Sequence, residues 1–128
     1  MNYLLDTHTF IWMDYKSSEL SATARNVLAD SNNMLFLSLV SVWEMQIKSQ
    51  LGKLTLRLPL QQIVRDQQTR NSIQLLPITI NHIFELQNLP SHHKDPFDRL
   101  LIAQALTEQM PIVTRDPIIS KYAADVTW

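Results

Sequence analysis

Short apolar runs alternate along the chain with longer segments in which apolar residues recur at helical spacing. Four runs of three or four residues are rich in leucine, isoleucine, valine and phenylalanine, which favours buried β-strands. They cover residues 3–5, 34–37, 73–76 and 112–114, and a further edge strand is predicted at 125–127. Strands that alternate with helices build a parallel sheet covered by helices, so the predicted fold class is α/β.

Helical periodicity and capping residues predict the segments between the strands. Helices are expected over residues 21–29, 41–51, 60–71, 81–88 and 95–109, and a short one over 117–123. Gly52 is the only glycine of the chain and suits the left-handed position that follows a helix end. Asp95 before Pro96 marks a helix start, because proline is favoured at the first helical position and aspartate can cap it.

Length and composition indicate the class of protein. A chain of 128 residues, 45% of them hydrophobic, is the size of one compact domain. There is no cysteine, which excludes disulfides, zinc–thiolate sites and thiol nucleophiles and fits a reducing cytoplasm. The N-terminus has no basic segment, and no apolar run approaches the ~18 residues that span a bilayer. We therefore expect a single domain over residues 1–128, cytoplasmic and without a membrane partner.

Charge does not by itself indicate a nucleic-acid-binding protein. The 11 basic and 12 acidic residues give a formal net charge of −1, so any such binding would have to come from local patches. Most basic residues of the central and C-terminal parts are dispersed and are expected to form a solvated face. They are Lys48, Lys53, Arg57, Arg65, Arg70, Arg99 and Arg115.

Acidic residues follow the predicted strands or begin the helices next to them. Asp6 follows the first strand, and Glu44 lies in the first turn of the helix predicted from Ser41. Asp98 opens the helix before the fourth strand, and Asp116 follows that strand. Functional groups of an open parallel sheet collect beyond the carboxyl ends of its strands, so we expect the four carboxylates to converge at one edge.

Converging carboxylates need protons or a cation. Two of them 4 Å apart repel by about 1 kcal/mol in water and by about 4 kcal/mol at an effective dielectric of 20. Mg²⁺ or Mn²⁺ is the expected counter-ion, because hard divalent cations prefer carboxylate and water oxygens. Such an ion lowers the pKa of a bound water and orients it for in-line attack on a phosphodiester, so no protein nucleophile is required.

Each acid also has an ordinary structural explanation when it is taken alone. Asp6 fits a solvated strand end, and Glu44 fits a surface pair with Lys48 one turn away. Asp98 in a first helical turn and Asp116 before a proline fit the preference of acids for helix N-termini. The functional interpretation therefore rests on the four acids as a set.

Four motifs stand in order along nearly the whole chain. They are LLDTH at 4–8, SVWEMQIK at 41–48, HKDPFDRLLIAQA at 93–105 and VTRD at 113–116. The Asp-Pro-Phe-Asp-Arg helix start is the most specific of them. Together the motifs resemble the PIN-domain ribonucleases, and among these the VapC-like toxins of type II toxin–antitoxin pairs.

This resemblance implies a PIN-like α/β/α sandwich around a parallel sheet of four to five strands. It implies metal-dependent hydrolysis of RNA, with Asp6, Glu44, Asp98 and Asp116 as the catalytic acids that bind Mg²⁺ or Mn²⁺. The implied partners are RNA, a cognate antitoxin that inserts a segment near the acidic groove, and a second copy in a homodimer formed by helices of the first half. The target RNA and the number of ions stay open.

Residues beside the four acids have further interpretations. Asp95 is either the N-cap of its helix or a metal ligand, and alignment on the motif favours the cap. Thr7 and Thr114 are expected to orient the acids next to them in sequence. Lys48 either contacts phosphate or pairs with Glu44.

Histidines and tryptophans are not expected to bind the metal or the bases. His92 and His93 are adjacent in a predicted loop, where neighbouring side chains generally point apart, and an oxygen-rich site does not need imidazole. Trp12, Trp43 and Trp128 are expected in the core or at an interface rather than as stacking platforms.

Other functions fit the sequence less well. A haloacid-dehalogenase-like phosphatase needs a second aspartate where His8 stands, and a phospho-receiver domain needs an acid at the end of the third strand, where Pro77 follows. A PIN-related nuclease for DNA or flaps usually carries additional helices. The remaining alternative is a catalytically inactive PIN module that binds RNA or a protein partner, which would predict lost acids.

Overall fold

A computed structural model of the chain describes residues 1–128. Strands and helices alternate along it, as the apolar pattern predicts. The strands are β1 (Asn2–Leu5), β2 (Met34–Ser38), β3 (Gln74–Leu76), β4 (Ile112–Val113) and β5 (Val126–Thr127). The α-helices are α1 (Thr7–Tyr15), α2 (Ala22–Ala29), α3 (Leu39–Gln50), α4 (Leu60–Arg70), α5 (Ile80–Glu85) and α6 (Pro96–Glu108). Short 3₁₀ helices lie at Ser17–Glu19, Leu86–Asn88 and Ile119–Lys121.

The five strands form one parallel sheet in the order β3-β2-β1-β4-β5. The first strand is central: Leu4 lies opposite Phe36 of β2 on one side and opposite Ile112 of β4 on the other. The chain adds β2 and β3 on one side of β1 and then crosses to the other side for β4 and β5. The carboxyl ends of β1, β2 and β4 therefore lie side by side at one edge, where binding sites of such sheets form.

Hydrophobic clusters cover both faces of the sheet. Consecutive residues of β1 point to opposite faces. Leu5 is buried with Phe10 and Met45 in a cluster that draws on α1 to α4, whereas Leu4 is buried with Ile102 of α6 in the second cluster. Helices thus pack on both faces, which confirms the predicted α/β/α sandwich.

Most predicted elements begin and end within one or two residues of the observed ones. Helix α1 is the main exception, since the sequence analysis does not predict it. Its middle, residues 10–13, is a run of four apolar side chains, so its apolar residues do not recur at helical spacing. Asp6 caps this helix by accepting a hydrogen bond from the Thr7 backbone N–H at 2.8 Å.

The start of α3 also differs from the prediction. The helix begins at Leu39, and its N-cap is Ser38, whose hydroxyl accepts a hydrogen bond from the Val40 backbone N–H at 3.0 Å. The predicted start at Ser41 is therefore wrong, because the strand passes into the helix without a loop. Glu44 consequently lies in the second turn of the helix and not in the first.

The predicted end of α3 and the predicted last helix have different outcomes. Gly52 has a φ of +72°, so the predicted left-handed residue after α3 is confirmed. The helix predicted over residues 117–123 is reduced to a turn followed by one 3₁₀ segment. None of the helices has both the length and the apolar composition that crossing a bilayer requires.

Candidate active site

A cleft of about 400 Å³ opens at the carboxyl edge of the sheet, and most of the residues that line it are charged. All four acids predicted from the sequence line it, together with a fifth carboxylate: Asp6, Glu44, Asp95, Asp98 and Asp116. The remaining wall residues are His8, Trp12, Lys48, Arg115 and Pro117. Five carboxylates thus face two permanently basic side chains, so the cleft is strongly acidic in a chain whose net charge is −1.

Asp6 is held at the end of β1 by hydrogen bonds to both of its carboxylate oxygens. Oδ1 accepts from the Thr7 backbone N–H and Oδ2 accepts from the Thr114 hydroxyl, each at 2.8 Å. The residue is only 6% exposed. Burial raises the pKa of Asp6 above its usual value, and the charge of Glu44 adds to this rise, although the two hydrogen bonds and His8 oppose it.

Glu44 reaches the cleft from α3 and is fixed by two partners. Its Oε1 accepts a hydrogen bond from the Thr7 hydroxyl at 2.8 Å, and its Oε2 pairs with the Lys48 ammonium one turn along the helix. Thr7 also hydrogen-bonds with Ser41 at 2.9 Å. Burial lowers the pKa of Lys48, but the hydrogen bond and the charge of Glu44 raise it more, so the net shift is upward. Of the two interpretations of Lys48 in the sequence analysis, the pair with Glu44 is present in the structure.

Thr7 and Thr114 hydrogen-bond both to the acids near them in sequence and to acids of other segments. The Thr7 backbone N–H donates to Asp6 at 2.8 Å, as the sequence analysis expects. The Thr7 hydroxyl contacts Glu44, not Asp6. The Thr114 hydroxyl donates to Asp6 and accepts a hydrogen bond from the Asp116 backbone N–H at 3.0 Å. Each hydroxyl thus hydrogen-bonds to a carboxylate of another segment. The ends of neighbouring parallel strands bring together residues that are far apart in the sequence.

Asp98 and Asp116 approach each other on the side of the cleft formed by α6 and the turn after β4. Both lie against the imidazole of His93, whose Nε2 is 3.0 Å from Asp98 Oδ2 and 3.1 Å from Asp116 Oδ2. The ligand atoms of these three residues all lie within 4.8 Å of one another. Burial raises the pKa of Asp98 to about 7, with contributions from the charges of Asp6, Asp95 and Glu44 and an opposing effect of His93.

The sequence analysis does not expect His93 to bind the metal, and it does not predict that the His93 ring contacts Asp98 and Asp116. The two adjacent histidines do point apart: the His92 ring packs edge-on against Tyr122, with ring centroids 5.1 Å apart. His93 is the one that turns toward the acids. Its position as the first residue of the third motif is the only sequence signal, since a loop conformation decides where its ring lies.

Asp95 performs the capping role that the sequence analysis favours. Its Oδ1 accepts a hydrogen bond from the Phe97 backbone N–H at 2.9 Å. The same side chain lines the cleft, and its charge contributes to the raised pKa of Asp98. Asp95 therefore adds negative charge to the cleft whether or not it contacts an ion.

The tryptophans have three different environments. Trp12 and Trp128 pack against the hydrophobic cluster on the α1 face, as expected. Trp12 also lines the cleft, where the guanidinium carbon of Arg115 lies 4.3 Å from its ring centroid. Trp43 is 55% exposed and contacts Phe97 edge-on, so it is not a core residue.

The side chains of the cleft fit a hard divalent cation. The possible metal ligands of the cleft are five carboxylates and the imidazole of His8, without a thiolate, and the carboxylates match the oxygen ligands of Mg²⁺ and Mn²⁺. Two of these carboxylates, Asp6 and Asp98, have raised pKa values and so retain protons more strongly than usual. A cation bound among them would favour the ionised form that burial disfavours and would offset the repulsion between the carboxylates.

Comparison with known proteins identifies the family. The PIN domain family matches residues 3–125, so the chain belongs to it. No curated protein matches the sequence.

Solved structures with the same fold include three bacterial complexes. VapBC2 from Rickettsia felis, bound to a DNA fragment from its promoter, is 17% identical with a TM-score of 0.74, and the match covers 98% of this chain and 97% of that chain. FitAcB from Neisseria gonorrhoeae is 15% identical with a TM-score of 0.66 over 97% and 95% of the two chains. VapBC-5 from Mycobacterium tuberculosis, of the VapBC family of toxin–antitoxin systems, is 15% identical with a TM-score of 0.60 over 98% and 94%. At these identities the similarity shows a shared fold.

Proposed function

We propose that this PIN-domain protein is a metal-dependent endoribonuclease and the toxin of a toxin–antitoxin pair. Asp6, Glu44, Asp98 and Asp116 are its catalytic acids and hold Mg²⁺ or Mn²⁺. The observation that carries the proposal is the convergence of these four carboxylates, from four separate segments, in one cleft. An inactive PIN module would be expected to lack some of these acids, and all four are present.

The acids are oriented before any ion binds. Both oxygens of Asp6 and both oxygens of Glu44 have hydrogen-bonding or ionic partners within the protein. Such support fixes the direction in which a carboxylate offers its remaining lone pairs. A divalent ion bound there would supply a water of lowered pKa and would offset charge on the phosphate in the transition state.

Two cationic side chains at the cleft suit a polyanionic substrate. Lys48 is partly exposed beside Glu44. Arg115 lies over the Trp12 ring and pairs with Glu19 at 3.2 Å. Both side chains line the cleft, and we propose that they contact phosphate oxygens of the substrate. The global charge of −1 does not oppose this, because the attraction needed is local.

The proposed partners are a cognate antitoxin and a second copy of the chain. Several solved structures with this fold are described as toxin–antitoxin complexes or VapBC systems. Exposed Leu39 and Trp43 on α3 supply apolar area for a homodimer through helices of the first half. Light scattering should then give twice the monomer mass. We also propose that residues 1–128 form one domain and act in the cytoplasm, in keeping with the absence of cysteine.

Cleavage of total cellular RNA by the purified chain tests the enzymatic proposal. Activity should require Mg²⁺ or Mn²⁺ and should stop with EDTA. Asp6→Asn should lower the rate by roughly 100-fold or more, because losing a ligand removes several kcal/mol of transition-state stabilisation. Asp30→Asn is the matched control, since Asp30 is an exposed acid after α2 and lies outside the cleft.

The outcomes separate the two functions. Metal-dependent cleavage that Asp6→Asn abolishes and Asp30→Asn preserves supports the nuclease. A folded wild-type chain that binds RNA or an antitoxin but cuts no RNA in either metal would favour the inactive module. Expression of the wild-type chain without an antitoxin should arrest growth, whereas expression of Asp6→Asn should not.

A further inference from the structure

His93 contacts two of the site acids but does not line the cleft. Its Nε2 hydrogen-bonds to Asp116 at 3.1 Å and lies 3.0 Å from Asp98. Both acids are among the ten wall residues of the cleft, and His93 is not. The imidazole is 13% exposed and contacts the two carboxylates without forming part of the cleft wall.

The backbone determines which nitrogen of the ring carries its hydrogen. The Asp95 backbone N–H donates a hydrogen bond to His93 Nδ1 at 3.2 Å. A backbone amide is always a donor, so Nδ1 must offer its lone pair, and the hydrogen of the neutral ring lies on Nε2. His93 thus presents an N–H group to Asp98 and Asp116, and this nitrogen has no free lone pair for a metal.

The main chain of His93 is anchored as well as its ring. Its backbone N–H donates to the Tyr122 hydroxyl at 2.7 Å. Arg99 of α6 donates to the same hydroxyl at 3.4 Å and to the Pro90 carbonyl at 2.9 Å. These bonds tie the loop to α6 and to the segment after β4, which are the two segments that carry Asp98 and Asp116.

We propose that His93 is a positioning residue that joins the Asp98 and Asp116 carboxylates through its Nε2–H group. With Oδ2 of each acid held on the imidazole, the remaining lone pairs of the carboxylates are left for a cation. Asp116 Oδ1 shares its lone pairs with the Ile118 backbone N–H, which donates to it at 2.8 Å. The inference rests on the proposed metal site and deepens it, because it assigns the imidazole to the support of the ligands and not to the metal. Asp98 and Asp116 come from different segments, and His93 is the residue that contacts both.

Mn²⁺ affinity, measured by calorimetry on the full chain, tests this role without relying on cleavage. His93→Ala should weaken binding by about 10- to 100-fold, which is the usual cost of losing a residue that orients metal ligands. His93→Gln keeps an N–H donor on a side chain of similar reach and should stay within a few-fold of wild type. Asp30→Asn is the control and should leave the affinity unchanged, since Asp30 is an exposed acid after α2 and lies outside the cleft.

Nitrogen NMR of the His93 ring provides a second, independent readout. The wild-type chain should show a protonated Nε2 and a bare Nδ1, and this pattern should persist when Mg²⁺ saturates the site. Transfer of the hydrogen from Nε2 to Nδ1 on addition of Mg²⁺ would mean that the imidazole is a ligand and would overturn the proposal. This readout decides the question even if His93→Ala fails to fold.

The remaining outcomes distinguish this inference from the proposed function. If wild type binds Mn²⁺ and His93→Ala binds it equally well, the positioning role is wrong and the metal site stands. If His93→Gln is as weak as His93→Ala, the N–H donor is not what matters and the role is again wrong. If wild type binds no divalent cation, both proposals fail together.

Discussion

Neutralising Asp98 should stabilise the metal-free protein and also abolish its response to metal. The pKa of this carboxyl is raised from 3.8 to about 7, first by burial and then by the charges of Asp6, Asp95 and Glu44. A folded-state pKa above the unfolded one means that the folded state holds a proton which the unfolded state releases. Stability is therefore full below pH 3.8 and falls as the pH rises through the window up to about 7.

The magnitude follows from the size of this shift. One pKa unit corresponds to about 1.4 kcal/mol, so the complete window represents roughly 4 kcal/mol at neutral pH and above. Asn cannot ionise, keeps the shape of the carboxyl and can still accept a hydrogen bond from His93. The difference in free energy of unfolding between Asp98→Asn and wild type should therefore widen by about 2 to 3 kcal/mol between pH 5 and pH 8.

Thermal unfolding of EDTA-treated protein at the two pH values measures this difference. For a chain of this length, 1 kcal/mol changes Tm by about 4 °C, so the variant should gain on the order of 10 °C relative to wild type. Saturating Mn²⁺ should stabilise wild type, by about 2.7 kcal/mol at 100 times Kd, and should leave the variant almost unchanged. The electrostatic reasoning would be refuted if the difference in free energy of unfolding between Asp98→Asn and wild type did not change with pH. It would also be refuted if the variant were less stable than wild type at pH 8. Asp30→Asn is again the control.

Three further substitutions test individual contacts. Thr114→Val removes the hydroxyl that links Asp6 to the Asp116 backbone, so calorimetry should show a 10- to 100-fold loss of Mn²⁺ affinity, and Thr114→Ser should restore it. Gln104→Ala in α6 removes a fully buried amide that hydrogen-bonds with Ser38 and donates to the Pro77 carbonyl. Urea unfolding should show that the free energy of unfolding falls by about 2 to 4 kcal/mol. Gln68→Ala, at an exposed residue, is the control and should change it little. Gly52→Ala places a side chain at φ +72°, where its Cβ would meet no atom within 4 Å, so the same assay should show a loss of about 1 kcal/mol from backbone strain alone.

The strand pattern and the four acids could be predicted from the sequence because each has a local signal. Leu4 and Leu5 belong to an apolar run that must be buried on both faces of a parallel sheet, and Asp6 stands where that run ends. Asp95 and Pro96 mark the start of α6 and so place Asp98 in its first turn. Parallel strands then bring such residues to one edge, whatever their separation along the chain.

Contacts that depend on loop conformation could not be predicted in this way. His93 contacts Asp116 across 23 positions of sequence, and its ring orientation follows from hydrogen bonds to Asp95 and Tyr122 that no periodicity encodes. The hydroxyls of Thr7 and Thr114 likewise hydrogen-bond to acids that are 37 and 108 positions away in the sequence. The pairing register of the strands determines which residues meet at the strand ends, and a sequence pattern specifies that register only approximately.

The most direct test of the account is to locate Mn²⁺ in crystals of the chain by its anomalous scattering. The account predicts a peak in the cleft, within about 2.5 Å of carboxylate oxygens from Asp6 and from at least one of Glu44, Asp98 and Asp116. The same crystals of Asp6→Asn should show the peak weakened or lost. A wild-type crystal without any peak in the cleft at saturating Mn²⁺, or with its ion bound elsewhere, would contradict the assignment of these acids as a metal site.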